Sequence, residues 1–419
     1  MRKRSAVCAT FQPYHPRPDR PKVPAGDFCM PLRASAPFVR TVPVPAARAG
    51  RRAAPLGPWR GSPAARSAGR EKRRAKKGGR WRKILNFTPG GLPLAPNPQP
   101  LQPMKRRSLL RVTLLLLFLL LIIVGGASWY MLDYALRPTD RGRRVEEAWS
   151  ESDATFPGLL AWRDSLQRIG ALRDTTLRSP DGVSLHAYYV RAPRPTRRTA
   201  VLVHGYTDNA VRMMPLGRMY ERDLGYNILL PDLRYAGASG GTHIQMGWLD
   251  RLDVRRWLDV VPALFGDSAT VVVHGVSMGA ATTMMLSGEP GLPPRVRAFV
   301  EDCGYTSVWD QFRKELGEQF GLPPFPLLYT ASWVCRLRFG WDFREASAEA
   351  GVRRCTRPML FIHGAADDYV PTEMVYVLYA AKPDPKALWV APGAAHAMSY
   401  HDHPAEYTHR VSAFLQPYM

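Results

Sequence analysis

Short apolar runs recur through the second half of this chain, separated by amphipathic stretches of helical period. Residues 183–190 (Val-Ser-Leu-His-Ala-Tyr-Tyr-Val) alternate as a half-buried strand does. Residues 200–203, 227–230 (after Asn227), 271–273, 298–300, 359–362 and 387–390 are apolar at successive positions. That pattern suits strands buried on both faces, as parallel strands covered by helices are. Between the runs lie 210–224, 248–265, 278–288, 372–381 and 404–416. In 248–265, Leu249, Leu252, Val254, Leu258, Val261 and Leu264 recur at helical spacing with Asp and Arg between them. Strand and helix in regular alternation predict an α/β architecture with a mostly parallel, doubly wound sheet over about residues 176–419. Residues 305–355, rich in Trp, Phe and Pro, interrupt the alternation and read as a helical cap insertion over one end of the sheet. Residues 134–175 read as a polar, partly helical lead-in.

Upstream the pattern changes. Residues 112–132 carry no formal charge across 21 positions, among them the run Leu114-Leu115-Leu116-Leu117-Phe118-Leu119-Leu120-Leu121-Ile122-Ile123-Val124. About 20 such residues cross a bilayer as a helix. Trp129 and Tyr130 stand at one end, where aromatic belts form, and Lys105, Arg106, Arg107 and Arg111 at the other. The positive-inside rule then leaves the N-terminus cytoplasmic and the region after residue 133 outside the membrane. A cleaved signal peptide stays open as an alternative, because Gly125-Gly126-Ala127 offers small residues for cleavage. The apolar stretch runs on past them, which favours an uncleaved anchor.

Charge changes the picture once it is located. Residues 1–111 hold 26 of the 58 Lys and Arg against Asp19, Asp27 and Glu71, which accounts for the whole formal charge of +23. The remainder is electrically balanced, so the folded region offers no electrostatic reason to bind nucleic acid. Residues 1–103, rich in Pro, Arg, Ala and Gly, bury too little apolar surface to offset ordering and read as a disordered basic arm. Met104-Lys105-Arg106-Arg107 has the form of a membrane-targeting N-terminus, which makes residues 1–103 a candidate over-called start. Cys8, Cys29, Cys303, Cys335 and Cys355 form no C-x-x-C pair and no zinc pattern. A Cys335–Cys355 disulfide is conceivable, packing or free thiols more in keeping with the odd count downstream of the anchor.

The chemistry gathers at Gly275-Val276-Ser277-Met278-Gly279, between the run ending at His274 and a helical Ala280–Leu286 stretch. Strand, G-x-S-x-G, helix is the context of a nucleophile elbow. A second match, Gly237-Ala238-Ser239-Gly240-Gly241, follows no buried strand and opens no apolar helix, and reads as a loop. A serine hydroxyl needs a base, and the base needs a partner that fixes its tautomer. In this architecture they follow in the order Ser, Asp/Glu, His. Asp367 lies past the strand ending at Ile362 and His396 past the one ending at Val390, on the same sheet edge as the elbow. Asp368 competes with Asp367. His401, Asp402 and His403 resemble a fragment of a metal site but lack a further ligand cluster. The backbone N–H groups of Met278, at the helix start, and Tyr206, after His204-Gly205, are candidate donors to an oxyanion.

Taken together, His204-Gly205-Tyr206, the 232–239 segment Asp-Leu-Arg-Tyr-Ala-Gly-Ala-Ser, the elbow, the 363–371 segment His-Gly-Ala-Ala-Asp-Asp-Tyr-Val-Pro and His396 resemble the alpha/beta-hydrolase superfamily. The similarity is closest to bacterial membrane-anchored hydrolases with a serine-aminopeptidase-like domain, and it spans about residues 175–416. It implies a Ser277, Asp367, His396 triad with Tyr206 and Met278 as oxyanion donors; the expected enzyme uses neither metal nor organic cofactor. Members cleave esters, thioesters and amides, so the resemblance fixes no substrate. The expected activity is hydrolysis of a small-molecule or lipid-like acyl ester, with a peptidase as the alternative. A membrane-tethered binding module on a degenerate scaffold is the non-enzymatic alternative.

Overall fold

The computed structural model describes residues 106–138 and 140–419. The basic arm read from residues 1–103 lies outside them. Helix α1, Arg106–Leu136, leads into α2 (Val145–Thr155) and α3 (Leu159–Arg168), and then into a single eight-stranded sheet. Strands β1 (Leu172–Arg178), β2 (Ser184–Val190), β3 (Arg198–Val203) and β4 (Asn227–Pro231) form its first half. Between β3 and β4 the chain coils through residues 210–223, with the short α4 (Met214–Arg218) at the centre. Helix α5 (Asp250–Phe265) leads to β5 (Thr270–Val276), α6 (Met278–Ser287) and β6 (Val296–Asp302). Helices α7 (Val308–Phe320), α8 (Leu327–Phe339) and α9 (Ala348–Arg354) precede β7 (Met359–Gly364). The chain ends with α10 (Glu373–Ala381), β8 (Lys386–Ala391), α11 (Ser399–Asp402) and α12 (Pro404–Leu415).

The strand order is β1-β2-β4-β3-β5-β6-β7-β8. Strand β2 runs antiparallel to both neighbours, and every other pairing is parallel. Alternate side chains of each central strand enter opposite layers. Val201, Val203, Val271, Val273, Phe299 and Phe361 pack on one face, with α5 and α6. Ala200, Leu202, Val272, Ala298, Val300 and Ile362 pack on the other, with α12. Burial on both faces is why these strands read as continuous apolar runs.

Strand β1 escaped the hydrophobic reading because it is an edge strand. Leu-Arg-Asp-Thr-Thr-Leu-Arg pairs only with β2 and has no fully buried residue. Charged edges of this kind discourage further strand addition. The lead-in also belongs to the core. Ala148, Trp149, Leu159, Trp162 and Leu166 are buried in the second layer, and the Trp162 indole N–H donates to Glu221 Oε2 at 3.0 Å. The cap is narrower than residues 305–355. Helix α9 packs back on α6, close enough that a Cβ on Gly351 would meet the Met284 carbonyl oxygen at 2.4 Å, so α7 and α8 form the cap proper. Cys303, Cys335 and Cys355 are all free, and the Cys335–Cys355 disulfide is not formed.

Because α3 carries core side chains, Trp162→Ala is expected to lower stability by about 3–5 kcal/mol, the usual cost of truncating a buried Trp. Urea unfolding of the full chain in detergent checks this. A loss below about 1 kcal/mol, in the surface range, would detach the lead-in from the core.

Candidate active site

Ser277 joins β5 to α6 with φ 57° and ψ −120°, a conformation that a side chain rarely tolerates. The flanking glycines explain how the turn closes. A Cβ on Gly275 would fall 2.0 Å from the Gly279 carbonyl oxygen, and one on Gly279 would fall 2.0 Å from that of Val203. Any larger residue would push α6 away from β3 and β5. The Ser277 N–H donates to the Asp302 carbonyl at 2.8 Å, which pins the turn to the end of β6.

His396 and Asp367 meet the serine at this edge of the sheet. Ser277 Oγ lies 2.8 Å from His396 Nε2, and His396 Nδ1 lies 2.7 Å from Asp367 Oδ2. An ionised carboxylate only accepts, so His396 carries its proton on Nδ1, and Nε2 accepts from the serine hydroxyl. Asp367 also accepts the N–H groups of Tyr369 and Val370 at Oδ1. Burial alone would raise its carboxyl. Hydrogen bonds from His363 and His396 outweigh that and hold it near pH 2. Asp368, the sequence competitor, is solvent-exposed.

The acid and histidine loops are tied to each other. Ala365 N–H donates to Ala391 O and Ala366 N–H to Ala394 O, while a Cβ on Gly364 would meet Ala394 O at 2.3 Å. The Tyr206 loop passes the serine as closely, since a Cβ on Gly205 would lie 3.4 Å from Ser277 Cβ. His204, held neutral by burial, donates from Nδ1 to Gly205 O and accepts the Leu233 N–H at Nε2, which fixes this loop against the one after β4. The Tyr206 N–H follows Gly205 in the loop beside Ser277, and the Met278 N–H opens α6. A helix N-terminus such as that of α6 favours negative charge.

Several residues beyond the sequence candidates complete the site. His363 donates from Nε2 to Val370 O at 2.8 Å and lies 3.3 Å from Asp367 Oδ2, behind the carboxylate. Tyr369 covers His396, with ring centroids 4.9 Å apart. Below the elbow, Tyr220 bonds His274, His274 bonds Tyr407, and Tyr407 donates to Asp302 Oδ2. Burial drives His274 down to about 3, so it is neutral and bridges the two phenols as donor and acceptor. His363 and His204 stood within recognisable motifs, whereas the partners of His274 are 54 and 133 residues away and gave no local signal.

Cys303, Asp367 and His396 place potential ligand atoms within 4.8 Å of one another. They suit a metal poorly. Burial pushes the Cys303 thiol up, and thiolate is the ligating form, while both other groups are engaged with each other. His401 pairs with Asp402, and His403 bonds Pro392 O, away from the serine. The second G-x-S-x-G match is structural. Ser239 Oγ donates to Asp232 O and accepts the His186 N–H, both within the buried network after β4.

Residues 200–410 match the model of the Alpha/beta hydrolase family. YqkD of Bacillus subtilis is 30% identical over 283 residues, which is 68% of this chain and 86% of that protein. The Arabidopsis thaliana alpha/beta hydrolase domain-containing protein WAV2 is 28% identical, over 49% of this chain and 65% of its own length. Among solved structures, the esterase Pf2001 of Pyrococcus furiosus superposes with a TM-score of 0.49 at 23% identity, covering 59% of this chain and 91% of its own. The chain belongs to the alpha/beta hydrolase family.

Two outcomes follow from the geometry. Gly279→Ala is expected to destabilise the full chain by about 2–3 kcal/mol, as overpacking does, in chemical unfolding, since its Cβ meets rigid backbone. The second concerns Glu301, fully buried beside the site, with Oε2 accepting the Gly304 N–H and Oε1 unpartnered. Burial raises its carboxyl from 4.5 to about 8, against the pull of His363. A raised folded-state value favours folding below pH 4.5 and loses that advantage as pH rises towards 8. Glu301→Gln should therefore raise Tm relative to wild type above pH 8, with the gain shrinking towards pH 4.5. A gain independent of pH would overturn the assignment of Glu301 as a buried neutral acid.

Proposed function

We propose that this protein is a membrane-anchored serine hydrolase that cleaves an acyl ester through a Ser277–His396–Asp367 triad. The observation that carries the reading is the unbroken hydrogen-bond chain from Asp367 through His396 to Ser277, at 2.7 and 2.8 Å. His396 Nε2 takes the serine proton as Oγ attacks the acyl carbonyl. The oxyanion that forms is met by the N–H groups of Tyr206 and Met278. Collapse expels the alkoxide, which receives the proton from His396 and leaves an acyl-serine. His396 then deprotonates a water, which attacks the acyl-serine; the proton returns to Oγ as the acid departs. Asp367, ionised throughout, orients His396 and stabilises its charged form. An ester is the least demanding substrate for such a site, because an alkoxide leaves more readily than an amine. Helix α1, long and apolar enough to cross a membrane, supports the anchor, with Lys105, Arg106, Arg107 and Arg111 on the cytoplasmic side and the hydrolase domain outside.

A fluorophosphonate probe should label the wild-type chain at Ser277, and Ser277→Ala should lose both labelling and p-nitrophenyl acetate turnover. An unlabelled wild type would point to a binding module instead. Asp367→Asn is expected to reduce kcat by about 10³–10⁴-fold, the order seen when a triad acid can no longer fix its histidine. Asp368→Asn should leave it unchanged. Equal losses at the two positions would sink the assignment of the acid.

A further inference from the structure

We propose that the cap is seated in the membrane. The face of α8 carrying Tyr329, Trp333 and Leu337, with Phe325 just ahead of it, rests at the headgroup–acyl boundary of the phospholipid leaflet into which α1 emerges. The proposal rests on the reading of α1 as a bilayer-spanning anchor and goes beyond it, because an anchored domain could equally stand clear of the lipid.

The length of α1 decides between these arrangements. Its uncharged run, residues 112–132, spans about 31 Å at about 1.5 Å per residue, which matches a hydrocarbon core of about 30 Å. The helix does not stay free over that length. Up to Ile123 it is exposed, and from Val124 onward it packs against the domain, with Ser128 and Leu132 buried. Residues 112–123 alone span only about 18 Å, well short of the core. If the run fills the bilayer, whatever packs on residues 124–132 lies at membrane depth.

What packs there is α8. Ser128 Oγ and Thr330 Oγ1 share a hydrogen bond, Arg338 stacks over the Trp129 ring at 3.9 Å, and Arg338 Nη1 donates to Asp133 at 2.6 Å. The stripe on α8 is what that depth requires. Tyr329, Trp333 and Leu337 follow one another at four-residue spacing, so they share one face. They are 44%, 63% and 65% exposed, and Phe325 is 71% exposed. In water this apolar strip is unfavourable, and patches of this kind mark protein or membrane contacts. Trp and Tyr are the side chains that membrane interfaces favour. On the far border of the stripe, Arg336 pairs with Asp342 and Glu345, a charged margin suited to the aqueous side. The stripe thus continues the apolar surface of α1 and ends at ions.

The same docking brings the leaflet to the site. Ala135 O, in the last turn of α1, accepts the Tyr206 hydroxyl at 2.7 Å, and Tyr134 packs edge-on against Phe320 of α7. Gln311 of α7 donates to Tyr369 O, and Tyr369 covers His396. An acyl ester held in that leaflet is therefore close to the serine.

The test is photolabelling of the full chain reconstituted in phosphatidylcholine vesicles doped with phosphatidylcholine bearing a diazirine in its acyl chain, with adducts mapped by mass spectrometry. Adducts are expected on α1 and on the segment 325–337. The double variant Trp333→Glu with Leu337→Glu should lose the cap adducts and keep those on α1. Adducts on α1 alone would overturn the seating while leaving the anchor intact. Adducts on neither would overturn the anchor and the seating together. Cap adducts that persist undiminished in the double variant would overturn the role of the stripe.

Discussion

The rest of this structure depends on one close approach of backbone to backbone. Where β5 turns into α6, Gly275 and Gly279 leave no room for a methyl group against the Gly279 and Val203 carbonyls. Ser277 is held between them at a positive φ. Strain of this kind persists only where the surroundings over-determine it. Here the determinants are the parallel pairing of β5 with both β3 and β6, a fully buried α6 beneath, and the Asp302 carbonyl taking the serine N–H. The outcome is a hydroxyl raised above the sheet edge beside a helix N-terminus, with little freedom to move.

A buried polar layer supports that turn. Asp302 sits at the end of β6, with its carboxyl raised by burial to about 6 although Tyr407 donates to it. Through Tyr407 it is linked to His274 of β5 and to Tyr220 before β4. A half-satisfied network in such a place would cost more than an apolar one. Because His274 is neutral, every link in this chain has one donor and one acceptor, so it braces the Tyr220 segment, β5, β6 and α12 at once. His363 does the same behind Asp367, joining β7 to the Val370 turn. The two histidines therefore support the Ser277 turn and the Asp367 carboxylate from within the fold.

What the sequence disclosed follows the range of the interactions involved. Central strands, apolar on both faces, were legible because burial is written residue by residue. The elbow was legible because steric demand falls on two glycines within five residues. Ser277, Asp367 and His396 could be nominated from their order and from the strands preceding them, and the fold brings the three within hydrogen-bond distance. Strand β1 was illegible because an edge strand needs no apolar alternation. The lead-in helices read as polar because only a few side chains in each, Trp149 and Trp162 among them, enter the core. The Tyr220–His274–Tyr407–Asp302 chain draws on positions up to 187 residues apart, from Tyr220 to Tyr407, and no local pattern announces it.

Helix α1 shows how a segment can carry two physical signals at once. Its composition reads as a bilayer span, yet Leu132 and Leu136 are buried in the same core layer as Val203 and Phe299. The Ile244 N–H donates to Leu136 O, so the helix end is also bonded into the loop after β4. A flexible tether would leave the domain free to turn relative to α1. A helix that enters the core cannot, because turning the domain would mean stripping buried leucines and breaking the Arg338–Asp133 ion pair and the Tyr206–Ala135 hydrogen bond. Burial of one or two leucines is worth a few kcal/mol, enough to favour a single orientation strongly. The direction in which the site faces relative to α1 is thus set by the same contacts that complete the core.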